Sequence, residues 1–498
     1  MRSRFPSLYL LAIFCTLSML TLNGVEAALL FFLIASTLGI LTYRRDVLIS
    51  PVVFIIVAYA LAFPLPMLFP GLYPDLWSEV SQQTLEYGML WAVRGFGAFA
   101  LGYVLVEQFG KGARKQRHWN EATYRDRIRY TVYVLTCIGW LAILAWASTT
   151  MLFGISLVFI ESESVPVESG AGTLLQLLTL LSSLRYPFFL GFLILHFWRK
   201  TDKHLVLLAA GLILVSIVEI ITIGSKGSII RGVAVFMLSL ALLPIKVNPK
   251  QLATGAVAII AVYGSFAVIT EYRSIMHDEL SAGRDVFDYK VQAESFGGAL
   301  LSSLPFSKAA TERRTEVKSE VVLSRFGAGM FSFANMMKFT GRQSPHENAW
   351  ESFLIPVYSI APRALIPEKP EFFNSGRNAR EYYGWAYGGI SVTLLGSLYY
   401  AWGYMGIIFG MAFLGGLFAY LAKQSRLSGI YSPHWLIFLV LLMIPMLDVG
   451  QTFQAITTNL IRVAVILWLL HLSYPLVRGA MRRRMSRILN SMQRGARL

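Results

Sequence analysis

Twelve apolar segments, each about as long as a bilayer is thick, run along this chain of 498 residues. Since 55% of the residues are hydrophobic and only 14% are charged, the chain has too little polar surface for a soluble globule. The pattern predicts an all-α polytopic membrane protein with about 12 transmembrane helices. The predicted spans are 5–23, 26–42, 49–69, 85–107, 129–150, 173–198, 204–222, 228–244, 251–270, 404–422, 433–449 and 455–477.

Positive charges in the short connections predict the orientation of these spans. The cation-bearing connections all fall on one side, and they are Arg2 with Arg4, Arg44 with Arg45, 111–129, 199–203, 246–250, 423–426 and 478–497. The alternate connections 70–84 and 151–172 contain no Lys or Arg. The cation-rich side is therefore the predicted cytoplasmic side, with both termini on it. The net charge of +16 mostly reflects this signal and attraction to anionic membrane lipids, so it does not indicate nucleic acid.

The first apolar segment has two interpretations. Arg2 and Arg4, an apolar core and the sequence Val25-Glu26-Ala27 imitate a secretory signal with a cleavage site. The second span begins immediately and would need the first as its partner, which favours retention. Cys15 and Cys137 lie inside predicted spans, so no disulfide framework is expected and the redox compartment stays open.

One long connection divides the chain unevenly. Residues 1–270 hold nine predicted transmembrane helices, 271–389 form a large loop, 390–477 hold an interfacial helix plus three transmembrane helices, and 478–498 form a basic cytoplasmic tail. Secondary transporters usually show two related halves with sites at the bilayer midplane. Here no internal repeat is detectable, so transport is the second choice.

The loop between Glu271 and Ile390 carries fourteen Arg and Lys on the side that is usually poor in cations. Acidic residues nearly match these cations, and the many aromatic residues argue for a folded loop. Within it, residues 319–340 alternate Phe, Met and small residues, which predicts a helix packed on the membrane surface.

A glycine-rich aromatic stretch follows the loop. We predict that Gly403 and Gly406 break the long apolar run, which leaves 391–402 as a half-inserted or interfacial helix before the tenth span. Its side chains Tyr399, Tyr400 and Trp402 are expected to form an aromatic belt at the headgroup level.

The sharpest local signal is the proline-rich segment from Ile360 to Pro370. Its prolines at 362, 367 and 370 fix φ and remove amide donors, so Arg363 and Lys369 are expected on a stiff, nonhelical track. Arg presents a planar fork to phosphate oxygens and Lys a compact charge, a combination that suits a diphosphate.

These residues carry a resemblance to a known family. Pro362-Arg363 followed by Pro367-x-Lys369-Pro370 at the end of a large external loop, and then the stretch from Gly389 to Gly406, resembles the Wzy-type O-antigen and exopolysaccharide polymerases. The turn Gly224-Ser225-Lys226-Gly227 is similar to the family's Gly-Ser-Arg-Gly turn. Lys in place of Arg keeps the charge but gives up the bidentate fork. The specific matches are confined to 225–231, 271–273 and 355–406.

The resemblance implies a glycosyltransferase of the C-type membrane superfamily in the bacterial inner membrane. Such an enzyme joins undecaprenyl-diphosphate-linked oligosaccharide repeat units at the periplasmic face, without nucleotide sugar, cofactor or metal. The implied partners are lipid-linked glycans, membrane lipids, and a chain-length regulator and flippase of the same pathway. An O-antigen ligase and a polysaccharide or lipid transporter are the alternatives.

Candidate site residues fall into two groups. The expected diphosphate ligands are Lys226, Arg231, Arg273, Arg325, Arg363, Lys369, Arg377 and Arg380. His346 or Glu347 is the expected general base for the acceptor hydroxyl, with surface packing as the alternative role of His346. No zinc-ligand spacing is present, so no metal is expected, and the sequence also has no nucleophile elbow.

Four arginines lie at or within predicted spans, namely Arg94, Arg185, Arg231 and Arg462. Because a charge in hydrocarbon is costly, each should face a polar cavity, pair with an acid such as Glu219, or reach an interface.

Overall fold

The computed structural model describes residues 5–43, 50–72, 80–109, 121–153, 170–197, 202–223, 226–242, 289–303, 320–341, 349–358, 392–428, 433–447 and 452–495, with positions 268, 271, 272, 275, 279 and 346. In chain order the helices are α1 (Phe5–Leu17), α2 (Gly24–Thr42), α3 (Val52–Ala62), α4 (Pro64–Leu68), α5 (Gln82–Phe109), α6 (Glu121–Phe153), α7 (Gly170–Ser183), α8 (Arg185–Phe197), α9 (Lys203–Ile223), α10 (Lys226–Leu242), α11 (Tyr289–Ser303), α12 (Glu320–Phe339), α13 (Ala349–Tyr358), α14 (Leu394–Ser428), α15 (Pro433–Leu447) and α16 (Phe453–Gly495). A short 3₁₀ turn covers Pro70–Leu72.

The described part of the chain is a helical protein of membrane-embedded type. Helices coincide with eleven of the twelve predicted segments. The other segment, 251–270, lies outside the described residues apart from position 268. Among the described residues, six helical stretches are long and apolar enough to cross a membrane, and they lie in α2, α5, α6, the α7–α8 pair, α14 and α16.

The centre of the bundle is the crossing of α5 and α14, which pack on each other more extensively than any other described pair. Small residues make this crossing close. A Cβ atom on Gly102 would overlap the carbonyl oxygen of Ala412, and one on Gly415 would overlap that of Phe99. Glycine lets helix backbones approach to this distance in a membrane.

Helix α1 is shorter than the predicted span 5–23, since it ends at Leu17. Arg94 of α5 donates hydrogen bonds to the carbonyl groups just beyond this end. Its Nε donates to Ser18 O (2.8 Å), and its Nη2 donates to Met19 O (3.2 Å) and Leu20 O (3.3 Å). Arginine near a helix C-terminus satisfies carbonyls that lack an intrahelical partner. Arg94 therefore caps α1, a role that the sequence did not predict.

Arg185 pairs with Glu219, which is one of the three alternatives expected for an arginine within a span. The two side chains join α8 to α9, with Nη1 of Arg185 on Oε2 of Glu219, and they are only 3% and 14% exposed. Arg185 also donates from Nη2 to the hydroxyl of Tyr186 at 3.1 Å. Pro187 has no amide hydrogen, which accounts for the break between α7 and α8 one turn before it.

Helix ends predicted on the cytoplasmic side lie together. Arg478 Nη1 of α16 is 3.0 Å from Asp126 Oδ2 of α6, and Tyr130 OH of α6 is 3.0 Å from His434 Nε2 of α15. All four residues belong to ends that the charge pattern assigned to one side. These two contacts thus bring together ends of α6, α15 and α16.

Helix ends predicted on the opposite side, called here the outer end, also meet. Tyr87 OH of α5 donates to Tyr404 OH of α14 at 2.9 Å, and the amide of Phe453 in α16 donates to Ser397 Oγ at 2.9 Å. The bundle thus has two distinct ends, as alternating spans require.

The predicted helix over 319–340 is confirmed as α12, but its apolar face packs on protein. Met330, Phe333 and Met336 are fully buried, and α12 contacts α5, α14 and α3. The placement on the membrane surface was therefore wrong for this face. Gly88 permits the contact, since a Cβ there would lie 3.1 Å from the Cβ of Ala334.

The predicted break at Gly403 is also confirmed. Gly403 has φ 62° and ψ −151°, and it interrupts the helical conformation of α14. The two parts of α14 fold against each other, because a Cβ on Gly406 would overlap the carbonyl oxygen of Leu398. The first part is inserted among the other helices: Tyr399 and Tyr400 are 4% and 2% exposed, so assigning them to an aromatic belt was wrong.

Candidate functional site

The structure describes the side chains of two of the predicted site residues, His346 and Arg231. Lys226 begins α10 and Arg325 belongs to α12, but their side chains lie outside the described set. The remaining candidates also lie outside the described residues, and they are Glu347, Arg273, Arg363, Lys369, Arg377 and Arg380. The described part of the site is consequently built around His346.

Arg231 is half-buried on α10, which packs against α8, α9 and α15. His346 contacts α14 instead. The two described candidates are thus held by different groups of helices.

His346 is exposed, yet its ring has a defined orientation. Its Nδ1 atom lies 3.2 Å from the carbonyl oxygen of Tyr400. A carbonyl oxygen can only accept a hydrogen bond, so this contact requires the proton on Nδ1. In the neutral ring Nε2 is then the acceptor, and a general base needs an acceptor of this kind.

Two glycines surround this imidazole. Gly341 and Gly403, with φ of 81° and 62°, are the glycines of the described chain that have positive φ. A Cβ atom on Gly341 would lie 3.4 Å from Nε2 of His346, and one on Gly403 would lie 3.9 Å from Cε1. Gly341 follows the last residue of α12, Phe339, by two positions, a usual place for a helix-ending glycine. Neither glycine therefore places a side chain against the Nε2–Cε1 edge of the ring.

A set of aromatic side chains leads away from His346, and we call Tyr399, Tyr404, Tyr87 and Trp91 the aromatic row. The His346 ring meets Tyr399 edge to face at 5.4 Å, and Tyr399 lies 5.1 Å from Tyr404. Tyr404 stacks on Trp91 with centroids 4.2 Å apart, and its edge contact with Tyr87 is 6.3 Å. The row extends from α14 across to α5.

Arg94 holds the far end of the aromatic row in place. Its guanidinium carbon lies 4.6 Å from the centre of the Trp91 ring, a cation–π distance. The same guanidinium is fixed by the carbonyls at the end of α1. The α1 terminus, Arg94, Trp91 and Tyr404 thus form one continuous contact series.

Sequence reasoning identified His346 but missed its surroundings. Tyr87, Trp91 and Arg94 lie far from His346 in the sequence, so their contact with this site could not be inferred from spacing. The sequence pointed to one part of these surroundings, because Gly403 was expected to interrupt a helix beside Tyr399 and Tyr400.

The chemistry of the described site is an oriented base beside amphipathic aromatic rings. Where the structure describes the chain, no group of three or more His, Cys, Asp or Glu side chains is arranged to hold a metal ion. An exposed Nε2 acceptor can take a proton from a hydroxyl group that is placed within about 3 Å. Comparison with protein-family models, with curated proteins and with solved structures gave no match to this chain.

Proposed function

We propose that the protein is a Wzy-type polysaccharide polymerase of the bacterial inner membrane. In this proposal twelve helices cross the membrane, both termini are cytoplasmic, and the 271–389 loop covers an active site at the periplasmic face. The substrates are two undecaprenyl-diphosphate-linked glycans, one that donates its glycan and one that accepts it. The resemblance in 355–406 and the fourteen Arg and Lys of the loop motivate the substrate class.

The observation that carries the proposal is the orientation of His346. With its Nδ1 proton on the carbonyl of Tyr400, the ring presents Nε2 as a base. Nε2 takes the proton from an acceptor hydroxyl while that oxygen bonds to the anomeric carbon of the donor glycan. The bond from that carbon to the diphosphate oxygen breaks, and undecaprenyl diphosphate leaves with the electron pair.

Cations of the loop have the complementary task. The leaving diphosphate gains negative charge in the transition state, and Arg or Lys aimed at it lowers the barrier. We assign this role to Arg363 and Lys369 first, because the prolines around them restrict their backbone. Arg273, Arg377 and Arg380 complete the proposed diphosphate site, with Lys226, Arg231 and Arg325 in supporting positions.

A reconstituted assay tests the role of His346. The amide of His346→Asn can keep the hydrogen bond to Tyr400 O but cannot act as a base, so polymer formation from lipid-linked repeat units should fall about 10²- to 10⁴-fold. His204→Asn replaces another exposed imidazole, at the start of α9, and should leave turnover unchanged. Full activity of His346→Asn would reject the base assignment.

Charge removal in the native host separates the polymerase from its rivals. Arg363→Ala should abolish long surface glycan while single-repeat products persist. Polymer stranded on undecaprenyl diphosphate would instead identify a ligase. If the purified wild-type protein converts lipid-linked repeats to polymer in detergent, where no second compartment exists, pure transport is excluded.

A labelling experiment tests on which side of the membrane the 271–389 loop lies. In a chain without Cys15 and Cys137, a cysteine at position 363 should react with an impermeant thiol reagent added to intact spheroplasts. A cysteine at position 114, in the predicted cytoplasmic connection, should react only after lysis. Labelling of position 363 from the inside alone would reject a periplasmic site.

A further inference from the structure

Two members of the aromatic row are accessible although they belong to a tightly packed group. Tyr87 is 43% exposed and Tyr404 is 37% exposed, whereas Tyr399, between Tyr404 and His346, is 4% exposed. Tyr404 therefore lies one buried ring away from the imidazole, and Tyr87 lies beyond Tyr404. Both tyrosines also lie at the outer end of the bundle, where the headgroup of a lipid-linked substrate would be.

The accessible rings are held rigidly from behind. Tyr404 stacks on Trp91, and the hydroxyl of Tyr87 donates to that of Tyr404 at 2.9 Å. Trp91 in turn lies against the anchored guanidinium of Arg94. A surface that is already ordered loses little conformational entropy when a ligand binds.

The chemistry of this surface differs from that of the exposed apolar residues further along α14. Met405, Phe409 and Phe413 are 67%, 69% and 57% exposed and carry no hydroxyl group, as suits contact with hydrocarbon. Tyr404 and Tyr87 instead combine aromatic faces with hydroxyl groups. A sugar ring has the matching surface, with C–H groups on its faces and hydroxyl groups around its rim.

We propose that Tyr404 and Tyr87 form the binding subsite for the acceptor sugar, the residue whose hydroxyl is activated by His346. This inference rests on the proposed function, because that function requires a glycan hydroxyl beside Nε2. The sugar packs a C–H face on the accessible rings and hydrogen-bonds to their hydroxyl groups. The subsite positions the acceptor only, and the loop cations bind the donor diphosphate.

A binding experiment can isolate the acceptor. Mild acid releases the repeat-unit oligosaccharide from the lipid-linked fraction of the native host, and without diphosphate it can act only as an acceptor. Its Kd is measured by calorimetry on the full-length protein in lipid nanodiscs that contain no sugar detergent. The variants are Tyr404→Leu, Tyr404→Phe and Tyr87→Leu.

Tyr420→Leu is the matched control. Tyr420 also lies on α14, is 41% exposed and pairs edge to face with Trp435 at 5.5 Å, but it is about four helical turns from Tyr404. Loss of the ring in Tyr404→Leu should weaken oligosaccharide binding about tenfold. Tyr404→Phe should bind within about threefold of the wild type, and Tyr420→Leu should bind like the wild type.

Wild-type binding by Tyr404→Leu, or an equal loss in Tyr420→Leu, would overturn the subsite. If Tyr404→Leu does not fold, Tyr87→Leu decides, since unchanged binding in that variant overturns the subsite as well. Turnover of lipid-linked repeats separates the two proposals. If the wild-type protein forms polymer and Tyr404→Leu binds the oligosaccharide normally, the subsite is rejected and the polymerase stands. If binding depends on the tyrosines but the wild-type protein forms no polymer, the polymerase is rejected and the subsite stands.

Discussion

The carbonyl oxygen of Tyr400 and the Nδ1 atom of His346 lie 3.2 Å apart, although 54 residues separate them in the sequence. The contact fixes both the direction of the ring and the position of its proton. It also depends on the backbone at Gly403, three residues beyond Tyr400, where φ of 62° and ψ of −151° bring the end of the first part of α14 to the imidazole.

Gly403→Ala should therefore lower turnover strongly while it lowers the thermal midpoint only moderately. The backbone region at Gly403 is almost restricted to glycine, and forcing another residue into it costs about 1–3 kcal/mol. Under the proposed function, a shift of the Tyr400 carbonyl by about 1 Å would misplace His346 and lower polymer formation up to about 100-fold. The assay measures turnover and the thermal midpoint on the same preparation.

Gly39→Ala serves as the control for Gly403→Ala. Gly39 lies inside α2, and a Cβ there would meet no atom within 4 Å. Alanine should raise stability by about 0.5–1 kcal/mol at such a helical position, with unchanged turnover. Wild-type turnover in Gly403→Ala would show that His346 does not need this bend.

Glu219→Ala should strongly destabilise the protein, because it leaves the guanidinium of Arg185 buried without its partner. Breaking one side of a buried ion pair costs about 3–5 kcal/mol, and the double variant Arg185→Met/Glu219→Leu should recover much of the loss. Thermal unfolding in detergent measures both. Equal midpoints for Glu219→Ala and the double variant would contradict this account.

The ion pair between Asp126 and Arg478 is more exposed than the pair between Glu219 and Arg185. Its side chains are 32% and 40% exposed, compared with 14% and 3% for Glu219 and Arg185. Because an exposed pair contributes about 0–1 kcal/mol, Asp126→Ala should shift the midpoint far less than Glu219→Ala.

Two adjacent glycines test the close crossing of α5 and α14. Gly415→Ala should lower stability by about 1–3 kcal/mol, because its Cβ would overlap the backbone carbonyl of Phe99 and force the helices apart. At Gly416 the nearest atom is the side-chain Cγ2 of Val106, 3.3 Å from the Cβ position, so Gly416→Ala should cost less. Thermal midpoints that rank in the opposite order would be inconsistent with this crossing.

Arg94→Met should destabilise the N-terminal part of the bundle and also loosen the aromatic row. Three carbonyl groups just beyond the end of α1 lose their donor, and because two of these bonds are exposed and the third is half-buried, the loss should be near the net value of about 0.5–1.5 kcal/mol for one hydrogen bond. Arg94→Lys should lie between Met and the wild type, since one ammonium group cannot reproduce the planar fork. Thermal unfolding of the three proteins provides the comparison.

The helical segments were predictable because the length of an apolar run can be read directly from consecutive residues of the sequence. The predicted span 433–449 corresponds to a helix at Pro433–Leu447, and the span 204–222 to one at Lys203–Ile223. The end of α1 was not predictable in this way. The apolar run continues beyond Leu17, but the helix ends there, and Arg94 of α5 donates a hydrogen bond to the carbonyl oxygen of the next residue, Ser18.

The site was only partly predictable for a related reason. His346 was singled out by residue type, and the break at Gly403 by composition. The contact between Tyr87 and Tyr404 joins residues 317 positions apart, so no local pattern reports it. Tyr399 was misassigned to the membrane interface because an aromatic residue near a span end has the same sequence signature whether it faces lipid or protein.

The break in α14 at Gly403 lies beside the backbone oxygen that orients His346. In a continuous α-helix the oxygen of Tyr400 is taken by the amide of the residue four positions on, which here is Tyr404. The chain leaves the helical conformation at Gly403, three residues beyond Tyr400, and the Tyr400 oxygen lies 3.2 Å from Nδ1 of His346. One glycine thus turns an ordinary structural oxygen into the group that selects the tautomer of a remote histidine.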